Sequence, residues 1–311
     1  MTIVLTGASG MVGSAVFAEL TQAGRKVRLL TYKGTGSGGS VESRQMPPAG
    51  ADLSEFREAL RGAGSVVHCA ALNNDEGASS DALFEANAVL AGKLAQAAAD
   101  VVPGRFVHLS SIRAITGAES SGTVSEATPP APTCAYGASK LAGEKAVREA
   151  FRDQPGRFVI LRPAPIYGVG MRGGLRTLLR LADSPWPLPF ASLAAPRSLL
   201  SLERAVGAIL LALARERLTR ADYVVSDADA VSIAGILAAF RAGLSRPPRL
   251  FPVPPFLFAQ AARLTGRQAA WLRIAGGQVC DPSALAALGW TAETDSRGAL
   301  AALARQMATP N

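Results

Sequence analysis

Tyr136 and Lys140 stand four residues apart in Tyr136-Gly137-Ala138-Ser139-Lys140, so on a helix they share one face, one turn apart. An ammonium beside a phenol favours the phenolate and lowers a pKa that is ordinarily about 10. A tyrosine tuned in this way takes or gives a proton near neutral pH. The same spacing is also common on solvated helix faces, so the pair gains its meaning from what accompanies it. Ser110 and Ser111 follow an apolar run, Phe106–Leu109, that reads as a strand. A serine hydroxyl at the carboxyl end of such a strand can hold a substrate oxygen while the tyrosine removes its proton.

The second chemical signal is Thr6-Gly7-Ala8-Ser9-Gly10-Met11-Val12-Gly13, with glycines spaced GxxGxxG. Gly7 suits a tight turn, Gly10 lets the backbone approach a pyrophosphate, and Gly13 lets a helix pack against a strand. The free N–H groups around Ser9, Met11 and Val12, at the start of the helix, would meet the phosphates. The expected ligand is a nicotinamide dinucleotide, NAD or NADP. NAD binders usually end their second strand on an acid for the ribose 2′-OH. Here that end reads Leu30-Thr31-Tyr32-Lys33. Lys33, and with it Arg25, can meet a 2′-phosphate, which tilts the reading slightly toward NADP. Asp52-Leu53 stands where an adenine-contacting Asp can lie, and Asp52 is equally a helix N-cap; the two roles are compatible.

The elements that must position these residues alternate between strand and helix. Strands are expected at Ile3–Leu5, Val27–Leu30, Ser65–Cys69, Phe106–Ser110 and Phe158–Leu161. Helices are expected at Met11–Gln22, Ser54–Arg61, Ala82–Ala99 and Ala135–Phe151. Short strands alternating with helices mean βαβ units, a parallel sheet and right-handed crossovers. The fold class is therefore α/β, a doubly wound parallel sheet of the Rossmann type. Residues 1–165 form the dinucleotide-binding domain, and 166–311 a smaller substrate-facing lobe that can interleave with it. The lobe carries proline clusters at 185–189 and 247–255 and a Leu/Ala-rich helix at Glu203–Arg215. Lys33–Gly50, rich in Gly, Ser and Pro, reads as a loop.

Together these residues resemble the extended short-chain dehydrogenase/reductases, the group of nucleotide-sugar epimerases, reductases and dehydratases, over nearly the whole chain. Thr6–Gly13 is similar to their TGxxGxxG. His68-Cys69-Ala70-Ala71 is similar to their HxAA segment beside the cofactor. The resemblance implies that Asn87 is a structural and proton-relay member, and that Ser111, Tyr136 and Lys140 are the catalytic Ser and YxxxK. Leu161-Arg162-Pro163 with Ile166-Tyr167-Gly168 resembles RPxxVYG, which places Pro163 and Ile166 beside the nicotinamide. Arg197, in Arg197-Ser198-Leu199-Leu200-Ser201-Leu202-Glu203, matches an Arg that contacts a substrate diphosphate, bidentately by preference. Arg273 is a second candidate for that diphosphate, and Leu288-Gly289-Trp290 resembles the family's LGW.

Two departures matter. The family's Tyr-Gly after the catalytic serine is replaced by Ile115-Thr116-Gly117. The segment after Ser111, Ile112-Arg113-Ala114, lacks the Asp-Glu pair with which the 4,6-dehydratases eliminate water, so dehydration is disfavoured. The resemblance then implies hydride chemistry at C4 of a UDP-hexose or UDP-N-acetylhexosamine, by an epimerase or a 4-keto reductase, in a homodimer. Two other readings stay open. One is an NADPH-dependent reductase of a non-nucleotide carbonyl compound. The other is a non-catalytic NAD(P)-binding sensor or assembly factor, although such proteins tend to lose the Tyr or Lys kept here.

Composition agrees with an enzyme domain. The chain has 311 residues, 49% hydrophobic and 18% charged. A chain of that size buries about three quarters of its unfolded surface, which excludes wholesale disorder. The longest clean apolar run, Ala205–Ala214, is half the ~20 residues a membrane span needs. MTIVLTGASG lacks the basic region of a signal peptide. Cys69, Cys134 and Cys280 are odd in number and far apart, which suits reduced thiols in a cytoplasmic protein. His68 and His108 are too few for a histidine metal site, and no metal is expected. The net charge of +8 admits nucleic acid, an acidic membrane surface or an anionic ligand. The arginines are scattered without aromatic interleaving, which disfavours nucleic acid and favours an anionic ligand or a solvated surface.

Overall fold

The computed structural model describes residues 1–32, 41–73 and 77–308, with the side chains of Ala269, Ala270 and Arg273 outside the description. Seven strands form its main sheet: β1 (Thr2–Thr6), β2 (Val27–Thr31), β3 (Glu42–Gln45), β4 (Ala63–His68), β5 (Phe106–Leu109), β6 (Phe158–Pro163) and, later in the chain, β10 (Asp222–Val225). Their order is β10-β6-β5-β4-β1-β2-β3, and every neighbouring pair is parallel. The order reverses between β1 and β4, the switch point at which open α/β sheets bind ligands. The central strands are apolar almost throughout (Ile3-Val4-Leu5, Phe158-Val159-Ile160-Leu161) because both faces of the sheet are covered.

One face is covered by α1 (Met11–Gln22) and α7 (Leu202–Ala214), with Val16, Leu20, Val206 and Ile209 packed on Leu5 and Val107. The other is covered by α2 (Leu53–Leu60), α4 (Leu90–Val101) and α5 (Ala135–Ala150), with Phe56, Leu94 and Val147 on Val4 and Phe106. The stretch expected as one helix from Ala82 to Ala99 is α3 (Ser80–Phe84), a π-helical turn (Glu85–Val89) and then α4. The alanines of α4 are largely buried, and Gly92 lies against Ala146 of α5, so this packing is internal to the chain.

One sequence reading needs correction. The stretch Lys33–Gly50 is not all loop, since it contains β3, paired to β2 from Arg28↔Glu42 to Thr31↔Gln45. Glu-Ser-Arg-Gln shows no apolar alternation because it is an edge strand, held by Arg28 Nε to Glu42 Oε1 at 2.7 Å. β10 and α7 return to the sheet from the later part of the chain, so residues after 165 interleave with the dinucleotide-binding part.

The rest of that part forms the lobe. It contains short strands β7 (Ile166–Tyr167), β8 (Arg197–Ser198), β9 (Leu200–Ser201) and β11 (Ala230–Val231). Its helices are α6 (Gly173–Ala182), α8 (Ile233–Gly243), α9 (Pro255–Leu264), α10 (Gln268–Ala275), α11 (Ser283–Ala286) and α12 (Ser296–Ala308). Leu178, Leu179, Ile236, Phe240, Leu300 and Leu303 make its separate core between α6, α8 and α12. Among the described residues no helix is long and apolar enough to cross a membrane.

Candidate active site

In a parallel sheet every segment that follows a strand lies at one edge. The carboxyl edge therefore collects Gly7–Gly10 after β1, Asp52 after β3, Cys69–Ala71 after β4, Ser110 and Ser111 after β5, Tyr136 at the start of α5, and Ile166 after β6. Arg25 precedes β2 and lies at the opposite edge, so its role at a 2′-phosphate falls away. Lys33 lies outside the described residues.

The glycine turn is built by sterics. Gly7 has φ +74°, and a Cβ there would stand 2.5 Å from Ala70 N. A Cβ on Gly13 would stand 2.1 Å from Gly7 O, so only glycine lets α1 close onto β1. Gly10 is the exposed N-cap of α1, no side chain caps the helix, and its first turn holds no acid. This bare cradle under an open helix N-terminus fits a dinucleotide diphosphate, with Gly7, Ser9, Gly10, Met11 and Val12 able to hold it. Asp52 caps α2 in a capping box, its N–H donating to Glu55 Oε1 at 3.3 Å.

Beside the cradle, Thr6 Oγ1 lies 2.8 Å from His68 Nδ1 and accepts the Ala70 N–H at 3.2 Å. Burial, reinforced by the charge of Lys140, pushes the His68 imidazole down to about 3, so it stays neutral and shapes the Cys69–Ala71 turn. Burial likewise pushes the Cys69 thiol up to about 12, which keeps it from acting as a nucleophile.

Asn87 sits buried in the π-helical turn. Its Oδ1 accepts the Leu72 N–H at 2.9 Å, and its Nδ2 donates to Leu72 O at 2.8 Å and to Ser139 Oγ at 3.0 Å. It thus pins the chain after β4 to α5. Gly143 makes the approach feasible, since a Cβ there would stand 2.1 Å from Asn87 O. Gly137 does the same for the other wall, where a Cβ would stand 2.2 Å from Arg113 O. That contact brings the N-terminal turn of α5, with half-buried Tyr136, against the 3-10 turn Ile112–Ala114 that Ser111 caps.

The two serines have different partners. Ser110 Oγ donates to Glu144 Oε1 at 2.6 Å, beneath the site. Ser111 Oγ accepts the Arg113 N–H at 3.2 Å, which leaves its own proton to give. Lys140 is 1% exposed and donates to Leu109 O at 2.8 Å, directly beside the serines. Burial lowers its ammonium to about 8, against an opposing pull from Glu144.

Glu144 and Arg162 are the site's unforeseen foundation. Arg162 Nη2 meets Glu144 Oε2 at 2.6 Å and its Nη1 reaches Asp222 of β10, so the arginine of Leu161-Arg162-Pro163 points under the sheet edge. Burial alone would raise the Glu144 carboxyl, but hydrogen bonds and charge from Arg162, with Ser110 and Arg148, hold it below its ordinary value. The available sequence signal was a carboxylate one turn beyond Lys140 on the same helix face. On the lobe side, Arg197 Nη2 donates to Ile274 O and Gly276 O, both at 2.6 Å, at the C-terminus of α10. Arg273 belongs to that helix, so the backbone brings the two candidate substrate arginines to one place.

A parallel doubly wound sheet with a bare glycine cradle and a Ser-Tyr-Lys group at its switch-point edge defines a nicotinamide-dependent oxidoreductase of the short-chain type. The chain belongs to the NAD dependent epimerase/dehydratase family, whose model matches residues 3–226, and is an NAD(P)-dependent epimerase or reductase of the extended short-chain group. It is 29% identical to a UDP-glucose 4-epimerase of Vibrio cholerae, across 93% of this chain and 90% of that protein. It is 34% identical to a dTDP-4-dehydrorhamnose reductase of Burkholderia thailandensis, across 58% of this chain and 56% of that one. In fold it is similar to the UDP-N-acetylglucosamine 4-epimerase from Bacillus cereus (TM-score 0.77, 20% identity, 99% of this chain and 100% of that one). It is also similar to MoeE5 in complex with UDP-glucose and NAD (TM-score 0.73, 23% identity, 99% and 98%).

Proposed function

We propose that the protein oxidises and reduces C4 of a nucleotide-activated sugar, a UDP-hexose or UDP-N-acetylhexosamine. The observation that carries this is the buried Lys140, donating to Leu109 O one helical turn from Tyr136 and beside Ser111. Tyr136 as phenolate takes the C4 hydroxyl proton, and the Lys140 charge favours that phenolate. Ser111 donates to the same oxygen as charge develops on it. The bound nicotinamide supplies hydride acceptance and donation. Asn87 keeps α5 in place relative to the Cys69–Ala71 turn, where Cys69, Ala70, Ala71, Pro163 and Ile166 would flank the ring.

Arg197, steadied by the α10 carbonyls, and Arg273 would meet the substrate diphosphate. The dinucleotide is NAD or NADP. The absence of an acid at Thr31-Tyr32 supports a slight lean to NADP, through Lys33. We propose a homodimer through the surface that carries half-exposed Phe84 and Val89.

The test is mass spectrometry of the purified protein's bound nucleotide and of UDP-sugars incubated with and without NADPH. Interconversion of two C4 epimers with retained NAD(H) makes it an epimerase, and NADPH consumption with a 4-keto-sugar makes it a reductase. Failure to bind any nucleotide sugar overturns the reading and points to an apolar carbonyl substrate.

A further inference from the structure

We propose that the α9–α10 edge of the lobe docks this protein onto an anionic membrane surface. This goes beyond the reaction and does not depend on it.

The edge exposes large apolar side chains that a water-facing surface does not require. Trp186 is 72% exposed, Phe256 59%, Leu264 88% and Leu272 52%. Helix α9 has no buried residue at all. The segments that carry these positions adjoin one another. The segment around Trp186 runs beside the segment around Phe251, with Leu188 N–H to Arg249 O and Phe251 N–H to Leu188 O, both at 3.0 Å. Buried Arg241 clamps the two by donating to Trp186 O and Pro248 O, both at 2.6 Å. Phe190 then stacks on Phe258 of α9, and Phe258 on Trp271 of α10, each at 5.6 Å between centroids. The segments thus form a braced ledge of this lobe, with its inner aromatics used for support and its outer ones left in water.

Charge selects the occupant. From Ala230 to Cys280 the chain carries arginines at 241, 246, 249, 263, 267 and 273 and neither Asp nor Glu. Two acids lie near the ends of the ledge: Asp183 is paired with Arg246 at 2.9 Å, and Glu119 stands against Gly276 just past α10, so the arginines outnumber them. Arg249, Arg263 and Arg267 are exposed among the apolar side chains. A second copy of the chain would bring this cationic ledge against a like-charged one, whereas a bilayer of anionic lipids offers both an apolar interior edge and opposite charge. Trp186, amphipathic and most exposed of the tryptophans, suits the headgroup level. At ten residues α9 lies on such a surface and does not cross it. Because Arg197 of β8 holds the C-terminus of α10, the ledge is tied directly to the body of the lobe.

The test uses the full chain with vesicles of phosphatidylcholine alone and of equal parts phosphatidylcholine and phosphatidylglycerol. We expect co-sedimentation with the anionic vesicles only, weakened by salt, with a blue shift of tryptophan emission that Trp186→Phe removes. Arg263→Ala and Arg267→Ala should each weaken partitioning about fivefold, and Leu264→Ser about tenfold, with dinucleotide binding and the melting curve unchanged. A protein that stays in the supernatant with anionic vesicles overturns the proposal. So does Leu264→Ser splitting a larger oligomer without altering vesicle binding, which would assign the ledge to a second copy.

Discussion

The carboxyl edge of the sheet and the α9–α10 edge of the lobe differ in how they treat polar and apolar groups. At the sheet edge, Lys140 and Glu144 are almost fully buried, and Gly7, Gly13, Gly137 and Gly143 allow backbones to meet where any Cβ would clash. At the lobe edge, Trp186, Phe256 and Leu264 stand in water, and Arg249, Arg263 and Arg267 are exposed. The first edge spends stability on holding charged groups in a dry, fixed arrangement, which is what proton transfer needs. The second leaves apolar area uncovered, which folding alone does not favour and an external surface would. Substitutions should therefore separate the two: those at the sheet edge move turnover, stability or both, and those at the lobe edge move neither.

The largest effect is expected at Tyr136. Tyr136→Phe should lower turnover about 10²–10⁴-fold, the usual worth of a positioned acid–base group, with an unchanged melting curve. Retained turnover of a UDP-sugar would break the assignment of chemistry to the sheet edge. Next is Glu144→Ala, which leaves buried Arg162 with Asp222 as its remaining carboxylate partner and frees the Ser110 hydroxyl, and should cost about 3 kcal/mol in urea unfolding. Because the folded carboxyl titrates below its ordinary value, the stability it contributes is present above that ordinary value and is lost as pH falls through the folded one. The difference between wild type and Glu144→Gln should therefore shrink in acid.

Lys140→Met gives the opposite sign. Burial lowers this lysine from 10.5 to about 8, so the folded state resists its charge fully below pH 8. The variant should lose turnover yet gain up to about 3 kcal/mol at pH 7, a gain that fades as pH rises toward 10.5, where the unfolded lysine also loses its proton. An equal gain at every pH would show that the lysine's burial is not what costs stability. Gly137→Ala, ordinarily favourable by about 1 kcal/mol inside a helix, should instead cost about 1–3 kcal/mol through the clash with Arg113 O, and lower turnover by shifting Tyr136. The smallest effect is Leu264→Ser, expected within about 0.5 kcal/mol of wild type in the same unfolding assay.

What was legible in advance was local. The turn at Gly7, the start of α1 at Met11 and the Tyr136–Lys140 face follow from glycine sterics and helical spacing, which act within a few residues. The apolar runs of β1, β5 and β6 follow from burial on both faces. β3 was missed because an edge strand need not alternate, and the π-helical turn at Glu85–Val89 was missed because helical periodicity shows only that a helix continues. Glu144 was missed because an acid four residues past a lysine reads as a surface pair until Arg162 and Ser110 are seen to close over it.

By itself the sequence determined the sheet class, the glycine cradle and the shared helix face of Tyr136 and Lys140, since each is written in contiguous residues whose backbone or spacing admits little else. Only the tertiary structure decided that Ser110 is committed to Glu144 while Ser111 keeps its proton, that Arg25 stands at the wrong edge, that a strand from residue 222 completes the sheet, and that Arg197 is braced by the end of α10. Those outcomes depend on which distant segments become neighbours, and that is set by the summed burial of the whole chain and not by any short stretch of it.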